Sequence, residues 1–331
     1  MSAIVFYIAT VVNYFFIYNI LAWGLNIQFG YAGILDFTYI TFMAVGAYVA
    51  GVTSLGRQQP GTGVTYILGW HLPFPLPLLL GGLAAALLGL LVGLLAINRL
   101  RSDYLAIVTL SVGIIIYSLV GNLTGLFDGF DGLVGVPEPL NGQVHLGVNT
   151  YTIFYMAVTG VVMVILWFFA QRLRSSALGR TMRAIREDVD VAESFGKNTF
   201  RIRLVAMVIG CFYAGIGGAL LIGFVGAFSP GGWSTLETFI IWAVMLIGGR
   251  GNNWGSVLGS FLVIALLSEA TRFLPAIPNN AFLEPALRNI VIGAGLIVVL
   301  RFRPQGILPE RKAQFSEVRA ARAGPGEPHA G

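Results

Sequence analysis

Charge is what this sequence has least of. Asp, Glu, Lys and Arg make up 11% of its 331 residues, hydrophobic residues make up 56%, and mean hydropathy is +0.80. Soluble domains carry about 25% charged residues. A water-soluble fold of this size would lack the polar surface to cover itself, so much of its apolar surface must face lipid. Cysteine is also nearly missing. The single Cys211 excludes an intramolecular disulfide and reads as a small packing residue. The three histidines, His71, His145 and His329, fall in loops or the tail. With no HExxH, no Cys/His cluster and no Ser–His–Asp grouping, nothing in the sequence supports an intramembrane enzyme or a bound metal or cofactor. A phosphate-cradling GxxxxGK[ST] loop is absent too, so the chain is not expected to hydrolyse ATP. Nor is there a run of intramembrane acids for a proton relay. Asp36, Glu237 and Glu269 are the acids nearest the bilayer core, all near span ends where interfacial solvation accounts for them. No cleavable signal peptide is evident, so the first apolar segment reads as a retained span.

What remains is a series of apolar runs. Segments 4–23, 37–55, 76–97, 104–120, 151–170, 204–228, 257–268 and 290–300 read as membrane helices, and 238–247 is a shorter ninth. The expected fold is an all-α polytopic membrane helix bundle of about 8–10 spans. Nine crossings with the N-terminus outside place 17 of the 20 Lys and Arg on the cytoplasmic face, with Arg57, Arg272 and Arg288 the exceptions. This segregation explains the net charge of +5 without a nucleic-acid partner. Two long outer loops, 56–75 and 122–150, carry turn chemistry and read as irregular. Residues 1–308 form the transmembrane domain, and 309–331 read as a disordered cytoplasmic tail.

Three segments depart from the apolar pattern. In 176–197, SALGRTMRAIREDVDVAESFGK, the residues Leu178, Met182, Ile185, Val189, Ala192 and Phe195 recur at helical spacing, and Gly179 and Gly196 bracket the helix. Arg183 with Glu187, and Arg186 with Asp190, stand four apart and can pair. Such a helix can lie on the inner leaflet or dock on a protein. Its mixed charge favours the protein, because lipid-surface helices carry almost wholly basic polar faces. In 24–37, GLNIQFGYAGILDF, Gly30 and Gly33 interrupt the pattern beside Asn26, Gln28 and Asp36. This is either a tight turn or a broken helix of the kind that builds solute sites in transporters. The third, 248–259, reads GGRGNNWGSVLG and repeats that layout, hinting weakly at two related halves.

Taken in order with YLAIVTL at 104–110 and RPQGIL at 303–308, these segments resemble the LivM-type permease subunit of branched-chain amino acid ABC importers. The resemblance covers roughly residues 24–308. It implies broken helices, a cytoplasmic coupling helix and a place in the cell inner membrane. It also implies four kinds of partner: a second, LivH-like permease, two cytoplasmic ATPase subunits, a periplasmic substrate-binding protein and the bilayer. The coupling helix would comprise Gly179, Arg180, Met182, Arg183, Ile185, Arg186, Glu187, Val189, Glu193 and Gly196, with Ile185 and Val189 entering an apolar groove of the ATPase. The family's EAA–glycine pattern appears here as Ala192-Glu193-Ser194-Phe195-Gly196, with the glycine kept and the first acid displaced. Asn26, Gln28, Tyr31 and Asn122 are expected to face the solute. The rival readings are an ion-coupled secondary transporter and a non-transport scaffold. No side chain singles out leucine, isoleucine and valine over urea or a short amide.

Overall fold

The computed structural model describes residues 3–58, 65–97, 102–140, 147–233, 235–268, 283–303 and 305–310. The chain is a helix bundle. Helix α1 (Ala3–Leu25) continues into a π-helical turn (Asn26–Tyr31), followed by α2 (Tyr39–Ser54), α3 (Leu76–Ala96), α4 (Ser102–Asn122) and the single turn α5 (Thr124–Phe127). Then come α6 (Val148–Ser175), the short pair α7 (Ala177–Glu187) and α8 (Val189–Ser194), and α9 (Thr199–Val225). The last elements are α10 (Thr235–Gly248), α11 (Asn253–Ser260) with a π-helical extension (Phe261–Ser268), and α12 (Leu283–Phe302). Among the described residues six helices are long and apolar enough to cross a membrane, and three shorter apolar helices accompany them. The nine segments read from the sequence are therefore all helical, and the all-α membrane bundle is the fold.

Helix α9 is the centre of the bundle and packs against α2, α3 and α1. Lipid tails are as apolar as leucine, so contact between membrane helices depends on close packing rather than on escape from water. Small residues supply it. A Cβ built on Gly46 of α2 would lie 2.3 Å from the Gly215 Cα of α9, and one on Gly218 would lie 1.9 Å from the Met43 carbonyl oxygen. The backbones touch, and no side chain fits between them. Gly46→Val is expected to force α2 and α9 apart at a cost of about 2–3 kcal/mol. The thermal midpoint of the purified subunit should fall by about 5 °C or more; an unchanged midpoint would contradict this packing.

The loops are more regular than the sequence suggests. Strand β1 (Gly56–Gln58) pairs antiparallel with β2 (Thr65–Trp70) inside the first long loop. In the second, β3 (Leu133–Val134) pairs with β4 (Ala227–Phe228), which tethers that loop to the end of α9. Asp36 also departs from expectation. It is fully buried rather than interfacial, its Oδ1 accepts the Thr38 N–H at 2.9 Å, and its Oδ2 has no hydrogen-bond partner among the described residues. Glu237 is partly buried and accepts a hydrogen bond from the Tyr18 hydroxyl at 3.2 Å. Glu269, His145 and His329 lie outside the described residues. Cys211 is buried, and its sulfur receives the Gln28 amide at 3.3 Å.

Candidate functional site at one end of the bundle

The segments that stood out in the sequence meet at one end of the bundle. The amphipathic stretch is two helices rather than one. Ser176 caps α7 by accepting the Gly179 N–H at 3.1 Å, so Gly179 lies inside the first turn and does not break the helix. The break falls at Asp188, whose extended backbone (φ −156°, ψ 117°) ends α7 and whose carboxylate accepts the Val191 N–H at 3.0 Å to start α8. An Asp in that role satisfies an amide that the new helix leaves without a partner. Gly196, at φ +72°, ends α8, and Asn198 caps α9.

The break divides the apolar stripe. Met182 and Ile185 on α7 and Ala192 on α8 are buried against this chain. Val189, Val191 and Phe195 point outward and are 37%, 51% and 79% exposed. Ile185 is therefore a core residue of this subunit and not free to enter a partner's groove, whereas Val189 is. The spacing of four between Arg186 and Asp190 also loses its meaning across a helix break, and Arg186 pairs elsewhere. Arg180 lies on the exposed side and donates to the Ser175 carbonyl at 2.9 Å. Glu193 accepts from the Thr199 hydroxyl at 2.5 Å, which ties α8 to the start of α9.

Arg186 is the hub. One guanidinium nitrogen donates to the Gly30 carbonyl at the C-terminal end of the π-helical turn, where the helix dipole favours a cation. The other donates to Glu187 Oε1 and Glu310 Oε2, both at 2.8 Å. Arg183 also reaches Glu310, at 3.5 Å. The Arg186 side chain is only 7% exposed. Burial opposes its charge, but the hydrogen bonds to Glu187 and Glu310 outweigh that and hold its pKa above the ordinary arginine value. Arg250 sits 5.2 Å from the Phe29 ring centroid, and burial with the nearby Arg186 charge lowers its pKa.

The two glycine-rich segments lock onto each other beneath this hub. The Gly251 N–H donates to Asn26 Oδ1 at 2.8 Å, and Asn26 Nδ2 reaches Asn253 Oδ1 at 3.4 Å. The Tyr31 hydroxyl donates to the same Asn253 oxygen at 2.6 Å, while Asn253 Nδ2 donates to Gln171 of α6 at 3.1 Å. The main-chain carbonyl of Asn253 accepts the Trp23 indole N–H at 3.0 Å. Asn253→Ala would leave the buried Tyr31 hydroxyl and the buried Asn26 Nδ2 without this partner, and the half-buried Gln171 without its donor. Each orphaned group costs about 1–3 kcal/mol, so the thermal midpoint should fall by several degrees. Asn253→Asp, which keeps the acceptor oxygens, should retain more of the stability than Ala does; equal losses would contradict the bracing role.

The chain after α12 closes the site. Ile307 and Leu308 donate their N–H groups to the Ile247 and Gly248 carbonyls at 2.9 and 3.0 Å, which satisfies acceptors at the C-terminal end of α10. This needs a close approach, since a Cβ on Gly306 (φ +80°) would lie 2.4 Å from the Gly249 Cα. Through Glu310 the folded body extends two residues past the boundary drawn at 308. Residues 311–331 lie outside the described residues.

The four residues expected to face a solute do not share a surface. Asn26 and Tyr31 meet at Asn253, whereas Gln28 turns to α9 and donates to the Met207 carbonyl at 3.2 Å; all three are fully buried. Asn122 is exposed at the other end of the bundle, on the last turn of α4, with its amide on the Ser118 carbonyl at 2.7 Å. In this conformation the first three act as braces between helices. The sequence reading missed Asn253, Gln171 and Glu310. Asn253 lay in plain view in GGRGNNWGSVLG, and Glu310 follows RPQGIL by two residues.

Residues 7–300 match the protein family described as branched-chain amino acid transport system, permease component. The high-affinity branched-chain amino acid transport system permease protein LivM of Escherichia coli (strain K12) is 30% identical over 328 residues, covering 93% of this chain and 71% of that protein. The probable branched-chain amino acid transport permease protein LivM of Methanocaldococcus jannaschii is 26% identical, covering 92% of this chain and 94% of its own. The LivH permease of Escherichia coli (strain K12) is 27% identical, with 88% and 91% covered. No solved structure matches this chain. The fold, the ordered motifs and these matches agree: the chain belongs to the family of branched-chain amino acid transport system permease components.

Proposed function

We propose that this chain is one permease subunit of an ATP-driven importer in the cell inner membrane, moving branched-chain or related small amino acids or amides. Its partners are a second, LivH-like permease, two cytoplasmic ATPase subunits and a periplasmic binding protein that delivers the solute. The N-terminus lies outside and the C-terminus in the cytoplasm. The concentration of arginine around α7, α8 and the ends of α6 and α12 supports this orientation by the positive-inside rule. The chain itself is non-catalytic, and separate subunits hydrolyse the ATP.

One observation carries the reading. The α7–α8 unit has two faces with different tasks. Its inner face grips the broken end of α1 through Arg186 and Gly30, and its outer face presents Val189, Val191 and Phe195 to a partner. A push on the outer face would reach the two glycine-rich breaks directly, and packed helices convert small shifts into discrete rearrangements. The test is uptake of labelled leucine by the full complex in proteoliposomes. Uptake should require ATP and loaded binding protein and survive an ionophore. Uptake that continues without ATP and collapses with the ion gradient would instead establish a secondary transporter.

A further inference from the structure

A slot of about 850 Å³ opens between α3 and α6, with α9 as its floor. It forms because α3 packs on α9 whereas α6 packs chiefly on α1. The Tyr213 hydroxyl of the floor donates to the Leu166 carbonyl of α6 at 2.8 Å. From there the slot runs both ways. Along α6 it reaches Arg172, about 9 Å beyond Leu166 on a helix, and Ser176, just past the end of α6. In the other direction it reaches Pro75 and Leu78 at the start of α3. Its rim is open to the bilayer, where Leu79, Ile165 and Phe169 are 46%, 50% and 60% exposed.

The wall suits a flexible apolar chain better than a helix. Helices in lipid pack closely through small residues, as α2 and α9 do here through Gly46, Gly215 and Gly218. No Gly or Ala lines the slot, and its wall is mostly Leu, Ile and aromatic side chains. A second helix could not bring its backbone close. The two hydroxyls in the lining are already bonded, Tyr213 to Leu166 and Ser176 to the Leu173 carbonyl at 2.7 Å. Neither calls for water or a polar solute.

One end of the slot is charged. Arg172 lines it, with its guanidinium 5.2 Å from the Phe168 ring centroid. Arg180 folds back to donate to the Ser175 carbonyl at 2.9 Å, beside Ser176. Neither arginine has a carboxylate partner among the described residues. Helix α7 also begins here, and the dipole at its N-terminal end favours an anion. Basic side chains at the mouth of a pocket between membrane helices suit an anionic lipid headgroup, and the arginine fork matches phosphate geometry. We infer that the slot holds one phospholipid with an anionic headgroup, drawn from the leaflet on the side of α7. Its phosphate meets Arg172, and a tail lies along Ile165, Phe169 and Phe212. The lipid braces the end of α6, which leads directly into α7 and α8. The inference does not depend on which solute the permease carries.

Photoreactive lipids provide the test. The full complex is placed in nanodiscs containing phosphatidylglycerol or phosphatidylcholine with the same diazirine-bearing tail, and the labelled peptides are mapped. Phosphatidylglycerol should label segments 162–169 and 209–216 about fivefold more than phosphatidylcholine does, the preference that one arginine near an anionic headgroup contributes. Leu83 and Leu87 of α3, which are 58% and 59% exposed and do not line the slot, should be labelled equally by both. Arg172→Gln should cut the preference to less than about twofold and leave Leu83 and Leu87 unchanged. Equal labelling of the slot by the two lipids in the unaltered complex would overturn the assignment, and so would a preference that survives Arg172→Gln. A slot that neither lipid labels, the result if a neighbouring subunit covers it, would overturn it too. If the variant does not assemble, the comparison in the unaltered complex decides by itself.

Discussion

Replacing both Val191 and Phe195 with aspartate is expected to abolish ATP-driven uptake while leaving the subunit folded. The two side chains are 51% and 79% exposed, so this chain loses little packing when they change. A partner that covers them loses more. Burying one large apolar side chain is worth about 1.5–3 kcal/mol, and a carboxylate forced into an apolar groove costs several kcal/mol more. Two such changes weaken docking by at least about 5 kcal/mol, or more than three powers of ten in affinity. The ATPase subunits should no longer copurify with the permease. Ile185→Asp should behave differently. Ile185 is 1% exposed, so a charge there attacks the subunit's own packing and should lower its yield before any partner is involved. Normal uptake by the Val191→Asp, Phe195→Asp variant would sink the docking assignment.

Arg186→Met should give the opposite pattern: an assembled complex that hydrolyses ATP but moves solute at least tenfold more slowly. Methionine keeps the apolar stem and removes the charge that joins α7 to Gly30 and to Glu310. Removing one partner of a buried ion pair costs roughly 3–5 kcal/mol. Here Glu187 is 58% exposed and Arg183 stays beside Glu310, so about 2 kcal/mol is the better figure. Adding Glu310→Gln removes the carboxylate that has lost its 2.8 Å partner and should restore part of the thermal midpoint. It should not restore uptake, because the bond to Gly30 is still missing. Recovery of both together would mean that Arg186 only stabilises the fold.

The large features of the fold were legible because they rest on composition and period. Twenty apolar residues cannot sit in water, and the nine runs became nine helices. The disruptive segments were legible too, since Gly33 and Gly249 adopt positive φ and glycine is the residue that tolerates it. Less could be read where a pattern has two physical solutions. The spacing from Leu178 to Phe195 fits one helix, and only the capping bond from Asp188 to Val191 divides it. That division decides which apolar residues face inward. The polar residues Asn26, Gln28 and Tyr31 read as solute contacts in the sequence because polarity at membrane depth suggests a path. Polarity at depth equally serves helix-to-helix hydrogen bonds, and choosing between the two requires knowing that Asn253, more than 220 positions later, stands opposite. Glu310 was hidden for a similar reason: its partners, Arg183 and Arg186, lie far away in the chain.

The central claim is that α7 and α8 receive the ATPase on one face and hold the broken membrane helices with the other. A photoreactive phenylalanine analogue placed at position 195 of the assembled importer tests it most directly. The account predicts one dominant cross-link, to an ATPase subunit, with a yield that changes when ATP is bound. Cross-linking only to lipid or to the second permease would contradict it.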